Sequence, residues 1–255
     1  MIITSRENKV FRLIKNLKTK RGRDEEALFV IEGLRSVSDA LKKNAQLKMV
    51  AIEDGNRFDM EFDCPVYTFA PKLFKELSDT VTPQGIIAVC KKPQCLLSDF
   101  SESEKSCVIM CENVQDPGNI GTIIRTAHAA FCDGVVLTKG CCDLYNPKII
   151  RATMTGVFSV PALVDADCKE TIMHFKNKGY KVVAGGLCEG SKNLYKTDLS
   201  GKTLIIIGNE GNGVTKDTLS LCDEVVKIPM KDDAESLNAS VAAAVLVYEQ
   251  LRQNL

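Results

Sequence analysis

The sequence predicts an α/β protein whose C-terminal part is built on a parallel sheet. Two observations carry that expectation. From Cys107 onward, short runs rich in Val and Ile alternate with helical patterns. Those runs are almost continuously apolar, as strands are when both faces of the sheet are covered. Before them, the polar stretch 91–106, with a Pro and a Ser/Glu cluster, reads as a break. The division expected is residues 1–95, a linker at 96–106 and a second domain at 107–255.

In the first part, Asn8 to Leu17 reads as a helix, with Val10, Phe11, Ile14 and Leu17 on one side. Ala27–Ile31 reads as a strand and Leu34–Lys43 as a helix with Leu34, Val37 and Leu41 inward. Strands are expected at Leu47–Ile52 and Val66–Phe69, a helix at Pro71–Leu77, and a strand at Ile86–Cys90 after a Pro-Gln-Gly turn. This is a small mixed α/β unit.

In the second part, strands are expected at Val108–Cys111, Val135–Leu137, Lys181–Ala184, Thr203–Ile207 and Val225–Ile228. Helices are expected at Asn119–Phe131, Pro147–Met154, Lys169–Lys178, Lys216–Leu221 and Asn238–Gln253. Sheets of this kind bind ligands just beyond the carboxyl ends of their strands.

Net charge is zero, but its distribution is uneven. Residues 1–23 hold Arg6, Lys9, Arg12, Lys15, Lys18, Lys20, Arg21 and Arg23 against Glu7 alone, a local +7. Such a segment is either a footprint for phosphates or a solvated helix face. The eleven cysteines are irregularly spaced, with no C-x-x-C, and His128 and His174 stand far apart. No metal site is expected. The charged residues Arg6, Glu7 and Lys9 interrupt any leader-like apolar run, and no stretch approaches the roughly 18 apolar residues of a spanning helix. The expectation is a cytoplasmic protein with reduced thiols and no membrane partner.

Three strand-end loops carry the candidate chemistry. In the first, from Glu112 to Gly121, Pro117-Gly118 makes a turn, Asn119 is placed as helix cap, and Arg125 follows on the same helix. That Arg is either a ligand contact, a wet-face residue or the partner of a carboxylate. The second loop is Gly208-Asn209-Glu210-Gly211-Asn212-Gly213. Its glycines allow close backbone approach, but their order is neither the dinucleotide fingerprint nor a P-loop. The third leads from Ile228 through Ser236-Leu237-Asn238 into an apolar helix, where Ser236 or Asn238 is either a cap or a ligand contact.

Together these segments resemble a known family. NVQDPGNIGTIIRTAHAAF (113–131), LIIIGNEGNGV (204–214) and IPMKDDAESLNASVAAAVLVYE (228–249) look like the three signature motifs of the SpoU/TrmH class of RNA 2′-O-ribose methyltransferases, in the same order. The stretch NPKIIRATMTGVFSVP (146–161) also looks familial. The N-terminal part is similar to the substrate-binding domain that precedes the catalytic domain in many members, with a fold like certain ribosomal RNA-binding proteins. The resemblance implies a deep trefoil knot in the C-terminal domain and S-adenosylmethionine as cofactor. By motif match, Gly208, Ile228, Met230 and Leu237 would contact it. Asn119, Arg125, Glu210, Ser236 and Asn238 are the matching catalytic candidates. Arg6, Lys9, Arg12, Lys20, Arg21 and Arg23 would bind RNA, and the protein would be a homodimer. Arg125 would hold the phosphate beside the reacting ribose, since guanidinium hardly deprotonates in proteins. The acidic run 231–235 departs from what a surface approaching RNA would carry. Ribosomal RNA is the substrate expected; a transfer-RNA enzyme and a non-catalytic RNA-binding relative are the alternatives. A Rossmann-type metabolic enzyme is disfavoured by the glycine order.

Overall fold

The computed structural model describes residues 1–100, 103–153, 156–231 and 235–255. Positions 232–234 of the acidic run, and Met154 at the expected end of a helix, lie outside the described residues. The chain divides into two compact units: Met1–Pro93 with Tyr145–Phe158, and Gln94–Leu144 with Ser159–Leu255. The segment 145–158, which the sequence division assigned to the C-terminal domain, thus belongs with the first unit. Phe29 gives the reason: its ring meets Tyr145 at 4.8 Å and Phe158 at 6.1 Å between centroids.

The first unit is a five-stranded mixed sheet in the order β1-β4-β3-β5-β2. Its strands are β1 (Ile2–Ile3), β2 (Leu28–Glu32), β3 (Leu47–Glu53), β4 (Val66–Phe69) and β5 (Ile86–Lys91). β1, β4 and β3 run parallel, and β5 is antiparallel to both its neighbours. One face packs against α1 (Lys9–Asn16) and α4 (Pro71–Leu77) through Phe11, Ile14, Leu17, Phe69, Phe74 and Leu77. The helix α3 (Leu34–Lys42) buries Val37 and Ala40. The basic stretch is not one helix. It breaks after α1, and α2 (Lys20–Glu26) starts anew because the Thr19 side chain accepts a hydrogen bond from the Gly22 amide at 3.0 Å. Gly22 is needed there, since a β-carbon would lie 2.3 Å from the Asn16 carbonyl oxygen.

The second unit is a seven-stranded, wholly parallel sheet in the order β10-β12-β9-β11-β6-β7-β8. In chain order the strands are β6 (Cys107–Cys111), β7 (Gly134–Thr138), β8 (Ala162–Ala166), β9 (Lys181–Gly185), β10 (Lys192–Asn193), β11 (Thr203–Ile207) and β12 (Glu224–Lys227). Every residue of β6, β7 and β11 is buried. One face joins Val108, Met110, Val182 and Ile206 to Ile172 and Phe175 of α7 (Cys168–Asn177). The helices α5 (Pro117–Ala129) and α9 (Ala239–Asn254) pack on each other, and α9 lies along β11. The short α8 (Lys216–Leu221) precedes β12. The helix expected from Pro147 is α6 (Pro147–Ala152), in the first unit.

Candidate active site

The three loops singled out by sequence all leave the carboxyl edge of the parallel sheet. Asn119 does not cap α5, as expected from sequence. Asp116 does, its Oδ1 accepting from the Asn119 amide at 2.9 Å, so the cap lies three residues earlier and the helix begins at Pro117. That shift puts Asn119 inside the first turn, 5% exposed. There its side chain is free to work between loops.

Glu210 is the hub. Its Oε1 accepts from the Asn119 Nδ2 at 2.9 Å and the Asp116 amide at 3.0 Å; its Oε2 accepts from the Gln115 amide at 3.2 Å. Asn119 Oδ1 in turn accepts from Asn238 Nδ2 at 2.9 Å. Asn238 also caps α9, its Oδ1 accepting from the Ser240 and Val241 amides at 2.9 and 3.3 Å. Capping and site-building coexist in one side chain. Partial burial raises the Glu210 carboxyl, but the hydrogen bonds from Asn119 and the Asp116 amide outweigh it and hold it below the usual glutamate value.

The second loop is a tight turn closed by paired backbone hydrogen bonds between Asn209 and Gly213, at 3.0 and 2.9 Å. A β-carbon at Gly208 would lie 2.2 Å from the Gly213 carbonyl carbon and the Val214 nitrogen. No other residue fits without moving the backbone.

The second and third loops, with the end of β9 and the start of α9, surround a cavity of about 350 Å³, and the first loop braces them through Asn119 without lining it. Gly208, Ile228, Met230 and Leu237 all line it, as do Glu210 and Ser236. Ala239, Ala242 and Leu246 of α9 add apolar wall. Glu210 and Lys227 are its only charged lining residues among the described ones. Gly185, Gly186 and Leu187, at the end of β9, also line it and were not anticipated. The signal was present: a Gly pair directly after an apolar strand, the same pattern that marks Gly208. A β-carbon at Gly185 would lie 2.8 Å from Leu246 Cδ1, so glycine lets α9 sit close on the strand end.

Arg125 stands apart from this group. Six residues after Asn119 on α5, it points about 120° round the helix from it. It is exposed, makes no hydrogen bond or ion pair among the described residues, and does not line the cavity. Ser236 is likewise exposed and, among the described residues, has no hydrogen-bond partner.

In the first unit the basic residues differ in availability. Arg6 pairs with Glu76 at 2.6 Å, Arg21 with Glu25 at 2.6 Å, and Arg12 with Glu7. Lys9 and Lys20 are exposed without ion pairs among the described residues. Arg23 is 3% exposed, and its Nη1 donates to the Leu17 carbonyl at 2.8 Å, bracing the α1–α2 turn. That position corrects its expected place on an RNA-facing surface. Among the described residues no helix is long and apolar enough to cross a membrane, and no group of three or more His, Cys, Asp or Glu is arranged for a metal ion.

Residues 106–248 match the SpoU rRNA Methylase family, and residues 8–88 match the MRM3-like substrate binding domain. The chain is 36% identical to the 23S rRNA (guanosine(2553)-2′-O)-methyltransferase RlmP of Bacillus subtilis, over 96% of this chain and 97% of that one. It is 30% identical to the 23S rRNA (uridine(2479)-2′-O)-methyltransferase of Streptomyces viridochromogenes, over 99% and 92%. The crystal structure of an AdoMet-bound rRNA methyltransferase from Sinorhizobium meliloti superposes with a TM-score of 0.90 at 28% identity, covering 100% of this chain and 98% of that one. With both domains matched and the three loops joined by one hydrogen-bond path, the chain belongs to the SpoU rRNA methylase family.

Proposed function

We propose that this protein transfers a methyl group from S-adenosylmethionine to a ribose 2′-hydroxyl of ribosomal RNA. The observation that carries the proposal is the hydrogen-bond path from Glu210 through Asn119 to Asn238, which ties the three loops into one frame beside the cavity. The cavity fits the cofactor. Its volume lies in the range of ligand sites. Its apolar α9 wall suits an adenine ring, the exposed backbone around Gly208 offers uncharged donors and acceptors, and Glu210 provides one carboxylate for a cation. Gly208, Ile228, Met230 and Leu237 would hold the group. When bound, S-adenosylmethionine supplies an electrophilic methyl on a positively charged sulfur.

The remaining work falls to the chain's own side chains. A free guanidinium on the outer face of α5 suits Arg125 to a phosphate oxygen next to the reacting ribose, where it orients the 2′-hydroxyl. Ser236, exposed at the cavity, is placed to contact that hydroxyl. In the first unit, Lys9 and Lys20 are open to phosphate. Arg6, Arg12 and Arg21 can exchange their exposed carboxylate partners for phosphate at small cost, because surface ion pairs contribute little.

Three further features belong to this proposal. Val241 and Tyr248 stand seven residues apart on the outer face of α9, each about half exposed (48% and 49%), and Phe131 beyond α5 is 82% exposed. Their exposure supports a homodimer in which a second copy of the chain would cover them. A knotted C-terminal segment is supported by β11 lying between β6 and β9 while α9 returns across the sheet. Eleven free cysteines suit a cytoplasmic place of action.

The test is incubation of the purified protein with ribosomal RNA and labelled S-adenosylmethionine, followed by mapping of 2′-O-methylated nucleotides. A single modified ribose is expected. Arg125→Ala should lower kcat by about 100-fold or more, and Arg125→Lys should restore only part of it, since an ammonium lacks the planar fork. Near wild-type turnover by Arg125→Ala removes Arg125 from the mechanism. Absence of cofactor binding by calorimetry leaves the non-catalytic RNA-binding alternative.

A further inference from the structure

Glu112 lies one residue past β6 and is 3% exposed. It neither lines the cavity nor joins the Glu210 network. Its carboxylate nevertheless accepts from the Thr215 amide at 2.9 Å, the Thr215 hydroxyl at 2.8 Å, the Thr218 hydroxyl at 2.6 Å and the Cys168 thiol at 3.6 Å. A carboxylate left without donors at such depth is strongly unfavourable, so these contacts fix the geometry of whatever supplies them. Thr215 is also the cap of α8, its Oγ1 accepting from the Thr218 amide at 3.3 Å.

The backbone of the same residue holds a second point. The Glu112 amide donates to the Ile207 carbonyl at 2.8 Å, extending the β6–β11 ladder by one step. Ile207 and Thr215 are the two stems of the loop Gly208–Val214, which lines the cavity. One residue therefore grips both ends of that loop: the entry through its backbone, the exit through its side chain.

We infer that Glu112 is a positioning residue that sets the loop Gly208–Val214 for cofactor binding, acting through Thr215 and Thr218. This rests on the proposed cofactor site. It requires a split between kinetic constants. The loop lines the proposed cofactor cavity, whereas Arg125 and the basic residues of the first unit lie outside its lining. Loss of the grip should raise KM and Kd for S-adenosylmethionine while leaving RNA affinity in place.

Calorimetry and steady-state kinetics on the full-length protein test this. Glu112→Gln keeps the shape but turns an amide NH2 toward donors, and should weaken cofactor binding about tenfold or more, the usual worth of a charge-assisted hydrogen bond. Thr218→Val, which removes one donor in nearly the same volume, should weaken it by a smaller factor. Thr215→Ser, which keeps amide and hydroxyl, should retain wild-type affinity. RNA affinity and kcat at saturating cofactor should stay within a few-fold of wild type in all three. If wild type itself binds no cofactor, the proposed function fails. If wild type binds and folded Glu112→Gln and Thr218→Val bind equally well, the positioning role is overturned. An equal loss of cofactor and RNA affinity in both variants also overturns it, because that is the signature of general destabilisation. Should Glu112→Gln fail to fold, Thr218→Val decides alone.

Discussion

At the amino edge of the parallel sheet, the end of α9 is tied to the segment before β11 by side-chain amides. Gln253 accepts from the Leu199 amide at 2.7 Å and donates to the Thr197 carbonyl at 3.0 Å; Asn254 accepts from the Gly201 amide at 2.8 Å and donates to the Leu199 carbonyl at 3.2 Å. Nearby, Tyr180 donates to Ser106 and Ser106 to Asp133, at 2.6 and 2.7 Å. At the carboxyl edge, the start of the same helix meets a cavity. The Glu210 path is satisfied there, yet Ser236 and Arg125 are left unpartnered among the described residues. Both edges use amides and carboxylates. The amides of Gln253 and Asn254 are spent on their own chain, and the carboxyl edge keeps part of its polar capacity for a ligand. Substitutions should therefore separate into stability effects at one edge and binding effects at the other.

The largest effect is expected at Gly208. The β-carbon of Gly208→Ala has no room beside the Gly213–Val214 peptide, so the loop must shift by an ångström or so. Displacements of that size cost about 100-fold in well-built sites. Calorimetry should register that loss for S-adenosylmethionine. Unchanged affinity would break the comparison, since the carboxyl edge would then tolerate what its geometry forbids.

A middle-sized effect belongs to the amino edge. Asn254→Ala leaves the Gly201 amide without its partner, while the Leu199 carbonyl keeps the Thr203 hydroxyl, at a cost of about 1–3 kcal/mol. The melting temperature should fall by about 2–4 °C per kcal/mol, while cofactor affinity and turnover at 25 °C hold. A parallel drop in cofactor affinity would mean that α9 transmits strain between its ends.

What sequence could reveal follows the same contrast. The buried strands were legible because their Val and Ile runs serve the core on both faces. β8 and β10 were not: β8 is an edge strand with exposed Val164 and Asp165, and β10 has two residues. The break between α1 and α2 was hidden because Thr19 and Gly22 act through local hydrogen bonding and close approach, which periodicity does not register. Ser236 and Asn238 stood out as polar residues at the mouth of an apolar helix, whereas Asn119 and Glu210 as catalytic candidates, and the cavity lining Gly208, Ile228, Met230 and Leu237, came from motif resemblance. Arg23 looked like its basic neighbours, and only its burial sets it apart. Glu112 was invisible as a positioning residue because a Glu after a strand reads as solvated; its donors lie over a hundred positions away in Thr215 and Thr218.

The smallest expected effect, and the sharpest discriminator, is in pH. Glu210 at the carboxyl edge and Asp223 at the amino edge are both held below their ordinary values of 4.5 and 3.8. In each, partial burial works the other way and is outweighed, by Asn119 and the Asp116 amide for Glu210, by Lys176 and the Val182 amide for Asp223. A folded-state value below the unfolded one means stabilisation that is complete above the unfolded value and is lost as pH falls through the folded one. Both residues should therefore contribute to an acid limb below about pH 4.5, and Glu210→Gln and Asp223→Asn should each flatten it in melts taken across pH. Only Glu210→Gln should also weaken S-adenosylmethionine at pH 7, because only Glu210 carries its charge into the cavity wall. In wild type, cofactor affinity should stay level as pH falls toward 5 and decline only once Glu210 begins to protonate. A cofactor affinity that tracks Asp223→Asn instead would place the coupling at the wrong edge of the sheet.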